Sequence, residues 1–388
     1  MHHDPQIIAA GFARRLALFY SAICLAVGVQ LPFFPLWLEA KGLDARAIGF
    51  VLAVPMVVRI FSIPLATRLS DRRQAPREAI VVASALAAVG IAAVGLAEGN
   101  LAILVAFSLS SIAFTPIMPL AEAYALRGLA FYGRAYGPVR LWGSAAFIAG
   151  SLGTGWIIDS IAPRNLIWLL VVATFATAAA AVTLAPLSLK IPAPDGADAP
   201  PKKIWQTPGF LAVLAAAGLI QASHAVYYGF STLDWRAAGL DGTTVGGLWA
   251  LGVVAEITLF AISGRLPAVL SPTALLVIGG VGATIRWIAM ALDPATMALP
   301  FLQCLHGLSF GATHLGAVGF VARAAPAGFA ATGQGYLAVG LGCFMAAAMG
   351  MSGILYEALG AQAYSGMALI AAAGTLIALA AWRLVPKP

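Results

Sequence analysis

The chain has 388 residues, of which 61% are hydrophobic and only 10% charged, with a mean hydropathy of +0.93. So little charge excludes a soluble domain of this length and points to a chain solvated mainly by lipid. The net charge of +7 would suit a nucleic-acid partner, but its distribution along the chain excludes one.

Twelve apolar runs, each near the ~20 residues that carry a helix across a bilayer, are predicted at 14–38, 47–69, 78–97, 101–125, 137–158, 165–186, 208–233, 243–263, 273–292, 296–320, 333–356 and 363–384. Arg14 and Arg15 precede the first run, which is longer than a signal-peptide core and is followed by no small-residue cleavage site. It reads as the first span. Cys24, Cys304 and Cys343 all fall within spans and suggest neither a disulfide framework nor a metal site.

With the N-terminus inside, the cytoplasmic segments hold 16 of the 22 Lys and Arg residues, from Arg14 to Lys387, against four (Lys41, Arg46, Arg164, Arg236) on the opposite face. This asymmetry predicts that both termini are cytoplasmic; the protein is read as one of the inner membrane.

The stretch 187–207 interrupts the pattern with Pro192, Pro194, Pro200 and Pro201 among Lys190, Lys202 and Lys203, and reads as a cytoplasmic linker. It divides the chain into 1–186 and 208–388. The two parts echo each other at an offset of 197 residues. Gly239-Leu240-Asp241 falls on Gly42-Leu43-Asp44, Gly246 on Gly49 and Val254 on Val57, while Gly340, Phe344 and Gly350 fall on Gly143, Phe147 and Gly153. Two parallel six-helix bundles resemble the major facilitator superfamily. The fold class expected is all-α, a polytopic membrane protein of twelve helices. Ala66-Thr67-Arg68-Leu69-Ser70-Asp71-Arg72-Arg73 resembles that superfamily's loop signature after span two, with Thr67 where a glycine is usual. The resemblance implies a cytoplasmic gate at Asp71 and Arg72. The glycines Gly150, Gly153, Gly155, Gly340, Gly342 and Gly350 are assigned to helix packing.

Polar residues inside the spans are the candidate site. A carboxylate at mid-span costs about 3 kcal/mol even on lenient insertion scales, so Glu256 needs a partner or a function. The offset places it on Arg59. Span four carries Glu122 and span five Arg140. Spans nine and ten carry Arg286 and His306, with Gln303 one turn before the histidine and His314 two turns after. Span seven carries Gln221, His224, Tyr227 and Tyr228, and span one Gln30. A static Arg59–Glu256 ion pair, or a solvated Glu122–Arg140 pair, would also account for part of this pattern.

The set Glu122, Arg140, Glu256, Arg286 and His306 resembles the lactose permease group in residue type and helix; this chain has Ser309 where that group carries a second acid one turn after the histidine. A nearer resemblance is to the phenylpropionate permease family, carried by 136–151, 221–239, 248–263, 286–290 and 302–310. It implies proton-coupled import of an aryl-propanoate. Glu256, Arg286, His306 and Arg59 would then couple protons, and Arg140, Glu122, Gln30, Gln221, His224, Tyr227, Tyr228 and Trp142 would bind substrate. Phe33, Phe34, Phe230 and Trp249 are further candidates for an aromatic slot, and an arginine fork suits a carboxylate. Sugars and nucleosides remain open as substrates.

Gly307-Leu308-Ser309-Phe310-Gly311 matches G-x-S-x-G with His306 nearby, which leaves an intramembrane serine hydrolase as an alternative, although a nucleophile elbow needs a strand-to-helix turn and this pentapeptide lies inside a span. No metal-protease or ATP-binding motif occurs, so no enzyme activity, cofactor or metal is expected. The expected partners are a small-molecule substrate, protons and the lipid bilayer, with no nucleic acid, for a monomeric secondary transporter.

Overall fold

The computed structural model describes residues 5–187, 207–265, 270–324 and 330–384. Among these residues the regular structure is entirely helical. The helices are α1 (Pro5–Ala40), α2 (Ala45–Arg73), α3 (Pro76–Leu96), α4 (Asn100–Phe114 and Ile117–Phe131), α5 (Tyr136–Ile158) and α6 (Leu166–Val182). After the linker come α7 (Pro208–Ala222 and Ala225–Ala237), α8 (Gly242–Ile262), α9 (Pro272–Ala291), α10 (Leu299–Cys304, the π turn Gly307–Ala312, and Thr313–Ala324), α11 (Ala330–Leu359) and α12 (Tyr364–Leu384). Gly333–Trp382 is apolar over 50 residues, far beyond the ~20 a bilayer requires. The 3₁₀ turn Gly360–Ala363, with Gly360 at φ 57°, breaks it into two spans and brings the total to twelve.

The repeated Gly-Leu-Asp is a repeated turn. Gly42 and Gly239 have φ of 88° and 86°, a region open to glycine at little cost. Leu43 N–H reaches back to Leu38 O at 3.1 Å, and Leu240 N–H to Trp235 O at 3.0 Å, which closes α1 and α7 in the same way. Asp44 Oδ1 then accepts from Ala47 N at 2.8 Å and Asp241 Oδ1 from Thr244 N at 2.7 Å, capping α2 and α8. Loop charges are also placed by helix ends. Arg77 donates to Val182 O at the end of α6 and to Leu184 O just beyond it, and Arg164 to Ala40 O at the end of α1.

Among the described residues three spans are interrupted. Pro116 lacks the N–H that would continue α4, α7 breaks at Ser223–His224, and α10 loosens into its π turn. The breaks in α4 and α10 again stand 197 residues apart, counted from Thr115 to Ala312.

By their internal contacts the residues form two compact units, Met1–Ile191 with Trp235–Ala250, and Pro192–Asp234 with Leu251–Pro388. The first is cored by Phe12, Leu16, Tyr20, Ile23, Leu120 and Tyr124 with their neighbours; the second by Phe210, Val213, Leu276, Phe320 and Ala378. Phe61, Leu101, Trp156, Phe301 and Leu369 are each more than 70% exposed. Large apolar side chains turned outward along helices of this length are the surface that lipid solvates. The chain is a multi-pass membrane protein.

Several boundaries differ from expectation. α2 continues to Arg73, so Asp71 and Arg72 lie on its last turns and not in a loop. α4 continues to Phe131, which brings Arg127 into a helix. Gly150 and Gly155 stand against neighbouring backbone as packing glycines, whereas Gly153 and Gly350 face open space. The linker lysines and prolines, and Lys387, lie outside the described residues.

Candidate functional site

The second unit holds a connected polar cluster at the level of the α7 and α10 breaks. Its centre is Arg286 on α9, whose side chain is fully buried. Its NH2 donates to Gln303 Oε1 at 2.7 Å, and its NH1 faces His306 Nδ1 at 3.1 Å and Ser309 Oγ at 3.4 Å. The guanidinium carbon lies 4.5 Å from the Tyr227 ring centroid and 4.6 Å from that of Trp287. Aromatic faces on α7 and α9 thus complete what three neutral polar partners on α10 begin.

Local structure explains the convergence. The π turn carries one residue more than an α-helical turn; Gln303 and His306 precede it, Ser309 lies within it, and all three reach Arg286 of α9. Gly307 lies against the Ala255 backbone and Gly252 against the His306 ring, so α8 and α10 approach closely enough for Glu256 Oε2 to stand 3.7 Å from His306 Nε2. The break in α7 is held by Ser223, which accepts from Trp287 Nε1 at 2.8 Å and donates to Ile220 O.

Donor chemistry sets the hydrogens. A guanidinium only donates, so His306 Nδ1 accepts and the neutral ring carries its proton on Nε2, facing Glu256. His224 Nδ1 meets two carbonyls, Ile220 O at 3.2 Å and Gln221 O at 3.1 Å, so it is the donor. Its Nε2 then accepts from Ser309 Oγ at 3.1 Å, while Ser309 accepts from Arg286. Arg286 orients the bonds of His306 and Ser309, and the α7 carbonyls orient His224. The buried Nε of Arg286 and Nε2 of Gln303 have no hydrogen-bond partner.

The expected residues therefore divide. Arg286, His306, Glu256, His224 and Tyr227 come together, and Tyr228 stacks on His224 at 5.7 Å. Gln221 is at the edge, donating to Phe310 O at 3.3 Å. The other candidates lie in the first unit. Arg59 NH1 is 3.7 Å from Met56 Sδ on its own helix. Arg140 NH1 is 3.9 Å from Cys24 Sγ, with the guanidinium 5.5 Å from the Tyr20 ring. It interacts electrostatically with Glu122, but no direct ion pair joins the two. Trp142 is 61% exposed. Gln30 adjoins a narrow crevice between α1 and α6 with Phe34 and Trp37. Phe34 stacks on Trp37 as core packing, and Phe230 stacks on Tyr356. The Asp71 carboxylate meets Arg127 NH2 of α4 at 3.4 Å, a partner that the loop reading did not supply.

Ser309 is engaged by His224 and Arg286 within a helical turn, not at a strand-to-helix elbow, so the geometry of a serine nucleophile is missing.

Residues 13–366 match the MFS_1 like family. The chain is 33% identical over 370 residues to "Probable 3-phenylpropionic acid transporter" of Escherichia coli (strain K12), covering 92% of this chain and 95% of that protein. It is 28% identical to "Maltose permease" of Geobacillus stearothermophilus over 337 residues, covering 84% and 83% respectively. Among solved structures, the nucleoside transporter NupG matches with a TM-score of 0.79 at 14% identity, over 97% of this chain and 100% of that one. The POT family transporter PepTSo matches with a TM-score of 0.71 at 10% identity, over 96% and 97%.

Proposed function

The chain belongs to the MFS_1 like family, whose members matched here are transporters, and on that premise we propose that it carries a small aromatic carboxylate across an inner membrane together with a proton. The observation that carries this reading is the fully buried Arg286, walled by Tyr227 and Trp287, with Glu256 one histidine away.

Coupling would arise from charge balance. A low-dielectric interior penalises net charge heavily. With Glu256 ionised and the site empty, the carboxylate balances Arg286 through His306. With Glu256 protonated, Arg286 is left uncompensated until a substrate carboxylate replaces it. Only the empty, unprotonated site and the doubly loaded site are neutral, so only these reorient freely. His306 relays the competition, because its Nε2–H faces whichever charge state Glu256 holds. Tyr227, Tyr228 and His224 would line the slot for the aryl ring, with Gln221 at its edge and Trp287 holding the Arg286 guanidinium. Arg140, Glu122, Trp142, Gln30 and Arg59 are assigned to the first half's share of substrate and proton handling, and Asp71 and Arg72, with Arg127, to a cytoplasmic latch. The working unit is a monomer of two six-helix halves with both termini cytoplasmic.

The decisive experiment is uptake into proteoliposomes of aryl-propanoates, maltose and nucleosides, with and without an inward pH gradient. Accumulation of an aryl acid that requires the gradient is expected. Gradient-independent uptake, or preference for the sugar, which the maltose permease relative favours, would replace this reading.

A further inference from the structure

Asp234, near the end of α7, takes no part in that charge balance. Its Oδ1 accepts from the Tyr356 hydroxyl of α11 at 2.5 Å, and Phe230, one turn earlier on α7, stacks on the same Tyr356 ring at 4.3 Å and 15°. The other oxygen, Oδ2, is buried and has no hydrogen-bond partner. The groups facing this carboxyl are Tyr356 from α11, Tyr364 from α12 and, electrostatically, Asp293 beyond α9. The Tyr364 hydroxyl is also buried without a hydrogen-bond partner. None of these groups is a cation. Arg236, the nearest base in sequence, is bound to Asp159 at 2.6 Å. Other acids are matched differently, Asp71 with Arg127 and Glu98 with Lys41.

An ionised carboxylate with one oxygen buried and unpaired, another acid nearby and no counter-ion is among the costliest arrangements a protein interior can hold. A proton on Oδ2 removes the charge and turns the orphaned acceptor into a donor. Asp293 lies in the wall of an open depression of about 650 Å³, lined also by Ala291, Leu359 and Gln362. On the inner side, Tyr364 stacks on Trp287 at 5.7 Å, and Trp287 flanks Arg286.

We propose that Asp234 is a second proton-binding site of this chain, loaded in the conformation seen here, with Tyr356 and Tyr364 as its hydroxyl companions and the Asp293 depression as its route to solvent. The proton is taken from water in the depression onto Oδ2 and returned to water when α7 and α11 separate. This does not depend on Glu256 being the coupling acid.

Infrared spectroscopy of the full chain reconstituted in lipid, without substrate or gradient, tests it. In mildly acidic buffer the wild type should show a protonated-carboxyl C=O band that is lost in Asp234→Asn and kept in Glu256→Gln. Tyr356→Phe removes the hydrogen bond to Oδ1 and should shift the same band to higher frequency, which serves if Asp234→Asn fails to fold. Coincident wild-type and Asp234→Asn spectra, with both proteins folded, or a Tyr356→Phe band that does not move, would overturn the proposal. Because no transport is measured, a failure of the coupling mechanism leaves this result standing.

Discussion

Arg286 NH1 faces His306 Nδ1 across 3.1 Å, and this one contact decides that the proton of the neutral imidazole points at Glu256. The side chain that centres the cluster also assigns the tautomer of its neighbour.

Arg286→Lys should therefore fail although it keeps the charge. An ammonium cannot serve Gln303, His306 and Ser309 from one plane while stacking between Tyr227 and Trp287. Initial uptake is expected to fall at least ~10-fold, equivalent to about 1.4 kcal/mol of lost interaction. Wild-type uptake kinetics in this variant would remove Arg286 from the substrate site.

Glu256→Gln cannot ionise but keeps an acceptor toward His306. Uphill uptake driven by a pH gradient should disappear, while exchange of substrate at equal concentrations on both sides persists. Both activities are measured in the same vesicles, and a variant that still concentrates substrate makes Glu256 structural and Glu122 the next candidate.

Gln303→Leu is close in size but leaves an Arg286 donor unpaired. A loss of about 1–3 kcal/mol is expected, read as a lower melting temperature in detergent. An unchanged melting temperature would mean that the Gln303 bond is replaced at no cost.

The exposed Glu98, between α3 and α4, is held below the usual carboxylate range by the hydrogen bond and charge of Lys41 at 2.5 Å. A carboxylate whose folded-state value is depressed stabilises the fold above its unfolded value, about 4.3, and this is lost as pH falls through the folded-state value. Lys41→Gln should thus lower the melting temperature slightly at neutral pH and not at all in strong acid. A difference that persists in acid would assign Lys41's role to packing on Trp37 instead.

The spans were legible because runs of apolar residues have no other use in a chain with so few charges, and the 197-residue echo marked a turn whose glycine and aspartate do the same work twice. Arg286, His306 and Glu256 were legible because charge in a span is costly and therefore rare. The role of Gln303 does not show in the sequence, since a neutral amide carries no such signal. Asp234 was missed because it reads as the polar end of a span beside Arg236. Trp142 illustrates a further limit. A spanning helix is apolar all round, so periodicity does not separate a ring that lines a site from one that faces lipid. The partner of Asp71 depended on where α4 ended, and Arg127 lies beyond the boundary that hydropathy suggested.

The π turn of α10 leaves the two ends of that helix out of phase. One residue is about 100° of rotation, so removing a single residue from Gly307–Ala312 would restore a regular helix and swing His306 away from Glu256 while Thr313 and all that follows kept its packing. Such a deletion should insert into the membrane normally yet carry no gradient-driven flux. Loss of insertion would instead make the extra residue a requirement of the fold. In this chain the alignment of an acid with its relay is written as a count of residues, not as the identity of any one of them.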